Sequence, residues 1–342
     1  MSLHPADRLP DSQQKIRAPF VLDRSMCFYS PQANRDALSH PRVEAWLEFL
    51  TKEWQPPQEP GRRIALLIPC TKSKPYSTSR EHRAINGALL AAGWEPAGSG
   101  DAPEELYRVL DPGEDRALLH NGPLRKGGVY LDRIVLSEPL AMVPYPYIYW
   151  WRGEQSPGTS YDDPGLFEGR GTAVSPERPD STAVEAGGGR WRWGPNERAA
   201  YVEVHNRLAA ATAETLDRVR PRYVLIGAWV SPGLTHRSFL AGAEFRREDG
   251  LPTAKRGPKG PMPLRGVLDL VPGLVEIMPT ASQLDTAKRA LAMRLERTGR
   301  GATPGAVRAV YARGDGNDTP LGLPEALQHL TGWLEEARTA VG

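Results

Sequence analysis

The sequence predicts an α/β protein: a mostly parallel sheet flanked by helices, with long loop insertions and a helical C-terminal extension. Three observations lead there. Short apolar runs at 64–69, 130–136, 223–226 and 274–278 are each bounded by Gly, Pro or charged residues, as strands are. Helical periodicity lies between them, most clearly over 196–218, where Ala200, Val204, Leu208, Ala211 and Leu216 share one face. The alternation of the two patterns favours parallel strands joined by helical crossovers.

Taken in chain order, residues 1–17 are polar and are expected to be loose, with order beginning near Pro19. Val43, Trp46, Leu47 and Leu50 stand at helical spacing, with Ser39 upstream as a cap and Pro56-Pro57 as the stop, so a helix is expected over 41–54. The run 64–69 reads as a strand buried on both faces, which places Cys70 at its C-terminal end, where open α/β sheets bind ligands. Thr78 and Glu81 match a capping box, predicting a helix to about Gly93. Two long segments, 154–189 and 255–265, combine Gly, Pro and charge and are expected to be irregular. Helices are expected at 282–297 and 324–338. The predicted organisation is an N-terminal extension over 1–60 with a helix packed on the core, an α/β catalytic core over 61–280 and a basic helical region over 281–342.

The chain has 342 residues, 40% of them apolar, enough for a sizeable core. Two cysteines make no disulfide framework, and no charged leader precedes an apolar stretch, so the cytoplasm is the expected compartment. The most apolar long window, 129–151, is interrupted by Asp132, Arg133, Glu138 and prolines, which excludes a membrane span. Two isolated cysteines and seven scattered histidines show no zinc-ligand spacing, and there is no P-loop or dinucleotide fingerprint, so no cofactor is expected. The net charge of +2 is unevenly spread: residues 255–313 hold eleven Lys and Arg against four Asp and Glu. Lys255, Arg256, Lys259, Arg265, Lys288, Arg289, Arg294 and Arg297 are the candidate nucleic-acid contacts, with a solvated basic face as the alternative.

The run Leu67-Ile-Pro-Cys-Thr-Lys-Ser-Lys-Pro-Tyr-Ser-Thr-Ser-Arg-Glu-His82, preceded by His40-Pro41, Trp46, Trp54 and Pro57, resembles the core domain of archaeosine synthase and its Pro-Cys-Ser-x-x-Lys-Pro-Tyr-x-x-Ser-x-Ser-His signature. Leu136-Ser-Glu-Pro-Leu-Ala-Met-Val-Pro144, with Glu138 inserted, and Tyr161-Asp-Asp-Pro164 resemble two further patterns of that family. The resemblance spans roughly residues 40–230. It implies chemistry on the nitrile of 7-cyano-7-deazaguanine. Too few residues precede position 40 for a transglycosylase-like domain, and the C-terminal region reads as helices rather than an RNA-binding barrel. The expected substrate therefore moves from tRNA to DNA, with conversion of the cyano base to 7-amido-7-deazaguanine. The implied partners are DNA containing a 7-deazaguanine base and a transglycosylase of the same modification system. Lysine addition to the nitrile, as in archaeosine synthase, and a non-catalytic nucleic-acid-binding subunit are the alternatives.

Adding water to a nitrile needs a nucleophile at carbon, an acid for the nitrogen and a base for water. Cys70 is the candidate nucleophile, because Lys72 and Lys74 nearby form an electropositive setting that lowers a thiol's pKa. Lys74 is expected to stabilise charge on the nitrile nitrogen, with His82 or Asp132 moving protons. The lysines serve equally as phosphate ligands. Thr71, Lys72, Tyr76, Ser77, Ser79 and Ser137 are the candidate substrate-binding residues, the hydroxyls otherwise satisfying backbone groups. Asp162 and Asp163 match a guanine-like edge or, alternatively, a solvated turn before Pro164. Tyr145, Tyr147, Tyr149, Trp150 and Trp151 supply core packing and a ring to stack on an extruded base.

Overall fold

A computed structural model describes residues 4–100, 102–166, 168, 171, 173–232, 235–312 and 320–340. The sheet has seven strands: β1 (Arg62–Pro69), β2 (Glu95–Pro96), β3 (Leu124–Lys126), β4 (Val129–Ser137), β5 (Ala141–Pro144), β6 (Leu225–Trp229) and β7 (Glu276–Met278). Their order is β7-β6-β1-β4-β3-β2, with β5 also on β4. The four strands β7, β6, β1 and β4 are parallel to one another, and β2, β3 and β5 add antiparallel pairs. This is the mixed α/β architecture with a mostly parallel central sheet.

Strand β1 lies between two parallel partners, Ile64 facing Leu131 of β4 and Leu225 of β6. Ile64, Leu66, Leu67 and Ile68 are fully buried. That explains an unbroken apolar run where a half-exposed strand would alternate, and each such side chain contributes roughly 1.5–3 kcal/mol by leaving water. From β1 the chain first builds β4 on one side and later β6 on the other. The C-terminal end of β1 is therefore a point where strand order reverses, which is where a crevice opens.

The flanking helices used below are α1 (Pro5–Lys15), α2 (Pro31–Ala37), α3 (Pro41–Glu48), α4 (Arg80–Ala91), α5 (Pro195–Val219), α6 (Thr235–Leu240), α7 (Ala281–Arg297) and α8 (Pro324–Ala340). Helix α5 coincides with its predicted span to within one residue at each end. Helix α3 starts on the His40 side chain rather than on Ser39 and gives way to a π-turn at Phe49–Glu53. Helix α4 is capped by Ser79, whose hydroxyl accepts from the His82 amide, because Thr78 spends its own hydroxyl on the Pro75 carbonyl. Helix α8 lies across β6, and a Cβ on Gly227 would come within 2.2 Å of the Trp333 ring, so only glycine lets them meet.

Four sequence expectations are corrected. Residues 4–17 are ordered: α1 packs inward through Arg8, which lies over the Tyr29 ring, and Ser12, whose hydroxyl meets Tyr29 Oη at 2.8 Å. Arg8, Ser12 and Ile16 face inward, while most of the other polar residues of the segment are exposed. The segment 255–265 forms a hairpin, Ala254–Gly257 against Gly260–Pro263, closed by Pro258-Lys259 with Gly260 at φ +124°. Within 154–189, Glu154–Gln155 pairs with Trp150–Trp151, and Val184–Gly187 begins a hairpin with Arg190–Arg192. Gly257 and Gly260 flank the Pro258-Lys259 turn, and Gly188-Gly189 form the turn of the other hairpin. The predicted strand 223–226 is displaced to β6, since Val224 donates its amide to the Arg63 carbonyl before the regular ladder starts. No described helix is long and apolar enough to cross a membrane.

Candidate active site

The turn after β1 is fixed from both sides. The Cys70 amide continues the ladder by donating to the Leu136 carbonyl at 3.0 Å, and the Thr71 hydroxyl closes the turn on the Ser73 carbonyl at 3.2 Å. Lys74 donates its amide to Lys15 and accepts from Arg17 at its carbonyl, so the end of α1 holds the loop on both backbone groups. This clamp is the consequence of the ordered N-terminal segment.

Around Cys70 the fold gathers residues from distant parts of the chain. Its Sγ lies 3.2 Å from His236 Nε2, at the start of α6. Glu138, the residue after β4, is buried, and one donor atom each from Cys70, Glu138 and His236 lie within 4.8 Å of one another. Lys74 is buried, with Nζ 4.2 Å from the centre of the Tyr161 ring. Tyr76, Ser137 and Tyr161 close a hydroxyl triangle with edges of 3.0, 3.0 and 2.6 Å, forming a polar floor beside the thiol.

The electrostatics differ from the sequence expectation of an electropositive turn. Burial pushes the Cys70 thiol well above its ordinary pKa, and the carboxylates of Glu138, Asp163 and Glu81 push the same way, with only Lys74 opposing them. Lys72, counted on as a second cation, is exposed. Asp163 is itself raised by burial, with Lys74 acting in the other direction. A thiol so placed is not pre-ionised. It needs a base within reach when it attacks, and His236 stands at hydrogen-bonding distance.

The predicted residues divide accordingly. Cys70, Lys74, Tyr76, Ser137 and Asp163 fall in one neighbourhood. Asp162, 1% exposed, bonds Lys15 at 2.5 Å, so it ties α1 to the site rather than lying in a solvated turn. His82 is corrected from proton carrier to positioning residue: its Nε2 bonds the Pro69 carbonyl at 2.9 Å and its Nδ1 meets Tyr145 Oη at 2.8 Å, which sets the backbone just before Cys70. Asp132 is likewise removed from the chemistry. It bonds Arg63 at 2.9 and 3.2 Å, and it faces Ala65 in the register, four residues and about 13 Å along β4 from Leu136. Ser77 bonds Tyr149 Oη at 2.8 Å, and Ser79 caps α4, so both hydroxyls are committed to the fold. Among the aromatics, Tyr145 and Tyr149 are core, and Trp150 is exposed beside Phe20.

Two members of the site are new. Glu138 is the insertion in the run resembling the family pattern, and His236 lies seven residues past the end of β6. Glu138 follows its strand as Cys70 does, but only the strand order brings either residue to the thiol. Of the basic candidates, Arg256, Lys259, Arg265, Arg289 and Arg297 are exposed, Lys255 pairs with Glu168 at 2.6 Å, Arg294 with Glu325 at 2.6 Å, and Lys288 lies 3.6 Å from Asp285. A separate cavity of about 480 Å³, lined by Tyr107, Arg116 and His120 among others, borders β2, three strands from β1. No family model, curated protein or solved structure matches the chain.

Proposed function

We propose that the chain hydrates the nitrile of 7-cyano-7-deazaguanine in DNA to 7-amido-7-deazaguanine, which would group it with the DpdC proteins of 7-deazaguanine DNA modification. The observation that carries the reading is the Cys70 thiol 3.2 Å from the His236 imidazole, inside the run that resembles the archaeosine synthase motif. In the proposed reaction the sulfur attacks the nitrile carbon while its proton passes to His236 and on to the nitrile nitrogen, giving a thioimidate. Water then adds to that carbon, giving up one proton through the histidine to the nitrogen. The tetrahedral intermediate collapses by breaking the carbon–sulfur bond as its hydroxyl proton passes through the histidine to sulfur, which leaves the amide and restores the thiol. Lys74, buried beside Tyr161, is placed to offset negative charge as it forms on nitrogen.

The DNA part of the reading draws on two features. Arg256, Lys259, Arg265, Arg289 and Arg297 are exposed and suited to phosphates. A base inside a duplex must be extruded to reach the partly buried thiol, and the exposed Trp150 offers a stacking ring. The test is to incubate the protein with DNA bearing 7-cyano-7-deazaguanine, and in parallel with tRNA bearing it, and to weigh the released nucleosides. Gain of one water on the DNA-derived base is expected. Unchanged nitrile with folded protein would count against the reading, and a heavier product dependent on free lysine would replace hydration by amine addition.

A further inference from the structure

The cluster at the end of β1 has the composition of a metal site as well as that of a nucleophile and its base. One thiol, one imidazole and one carboxylate come from three separate elements, and their donor atoms lie within 4.8 Å of one another. Zinc takes this donor set in tetrahedral geometry, with about 2.3 Å to sulfur and about 2.0–2.1 Å to nitrogen and oxygen. Those bond lengths set the sulfur–nitrogen edge of the tetrahedron at roughly 3.5 Å. The Sγ to Nε2 separation of 3.2 Å is close to that edge, and the Glu138 carboxylate, within 4.8 Å of both atoms, closes in to complete the set.

We propose that Cys70, Glu138 and His236 bind a divalent cation of the zinc class, with three protein ligands and the fourth position open toward the crevice. Charge favours this occupant. A thiolate and one carboxylate balance the two positive charges, and the carboxylates of Asp163 and Glu81 add to the negative field at the sulfur, against the single ammonium of Lys74. Binding replaces the proton of the thiol by the metal and releases that proton to solvent. It also occupies the sulfur, so a bound ion blocks covalent attack by Cys70. The sequence showed no ligand spacing because the three residues are separated by 68 and 98 positions and are joined only by the fold.

The site is read from ligand geometry and does not depend on the nitrile reading, and its test keeps the two apart. Protein freed of metal by a chelator and kept reduced is titrated with cobalt(II). A thiolate-to-cobalt absorption band together with the visible bands of tetrahedral cobalt, saturating at one ion per chain and displaced by zinc, is expected. Cys70→Ser should remove the thiolate band, and Cys27→Ser, altering the other cysteine, should keep it. His236→Ala should weaken cobalt binding by more than the roughly 10–100-fold that changes to outer-shell partners cost. Circular dichroism of each variant establishes that it is folded. Absence of the band in folded wild-type protein, or its survival in Cys70→Ser, overturns the site. Nitrile conversion is measured separately on the metal-free protein, so a missing band with intact conversion defeats the metal site alone.

Discussion

Strands β1 and β4 carry two buried charged clusters, and they are built differently. Near their N-terminal ends Arg63 and Asp132 meet through two hydrogen bonds, with the Tyr130 ring 4.7 Å from the guanidinium carbon and Glu59 3.2 Å away. At the C-terminal ends a thiol, an imidazole and the carboxylates of Glu138 and Asp163 lie around the Lys74 ammonium, which sits over a ring, and Lys15, bonded to Asp162, also acts on Asp163. The first cluster pairs an arginine with carboxylates and fixes two strands. The second gathers titratable groups from separate elements at a strand end, which is the setting in which a proton, a reagent or an ion changes the balance.

The largest effect should come from removing the thiol. Cys70→Ala is expected to abolish nitrile conversion while changing unfolding stability by no more than about 1 kcal/mol, because the side chain is small and only partly buried. Urea unfolding and product mass, taken on the same preparation, give both numbers. Persistent conversion would remove Cys70 from the chemistry. The opposite pattern is expected at the Arg63–Asp132 cluster. Asp132→Ala leaves Arg63 buried without its main partner and should cost about 3–5 kcal/mol, with the conversion rate per folded molecule unchanged. A rate loss without a stability loss would erase the distinction between the two ends.

A smaller effect sharpens the electrostatic side. After burial, Glu138 is the leading cause of the raised Cys70 thiol. Glu138→Gln removes that negative charge, so the thiol in metal-free protein should ionise at lower pH. The pH profile of Cys70 alkylation by iodoacetamide should then move to lower pH than in wild type. A profile that stays in place would mean that burial alone sets the thiol.

How much of this is written in the sequence follows from the range of each interaction. Strands β1 and β4 and helices α5, α7 and α8 are legible because each is a local pattern, an apolar run or a repeating face. The Cys70 turn is legible for the same reason. Glu138 and His236 are not, since nothing in their own neighbourhood says that β4 and β6 flank β1; only the strand order does. Asp132 shows the converse difficulty. An acid within an apolar strand signals either a partner or a function, and the partner, Arg63, lies one strand away. The order of 4–17 is hard to read because most of its polar residues are exposed, and the helix is anchored through Arg8, Ser12 and Ile16.

A third kind of buried titratable group tests the comparison most gently. His205, on α5, belongs to neither cluster. Burial, reinforced by Arg246, lowers it to about 3, so it is neutral in the fold, with Nε2 2.9 Å from the Ser238 hydroxyl on α6 and Nδ1 3.3 Å from Asn206 Oδ1. In the unfolded chain an ordinary histidine titrates near 6.5. Between about 6.5 and about 3 the unfolded state therefore binds the extra proton and the folded state does not. The contribution is fully present above the unfolded value and is lost as pH falls toward the folded one, by at most about 1.4 kcal/mol per pH unit. Urea midpoints at pH 7, 6 and 5 should fall less steeply for His205→Gln than for wild type, even though the substitution lowers stability at pH 7. Equal slopes would sink the assignment. Because Ser238 shares α6 with His236, the same acid range should also loosen the element that carries the base of the Cys70 site.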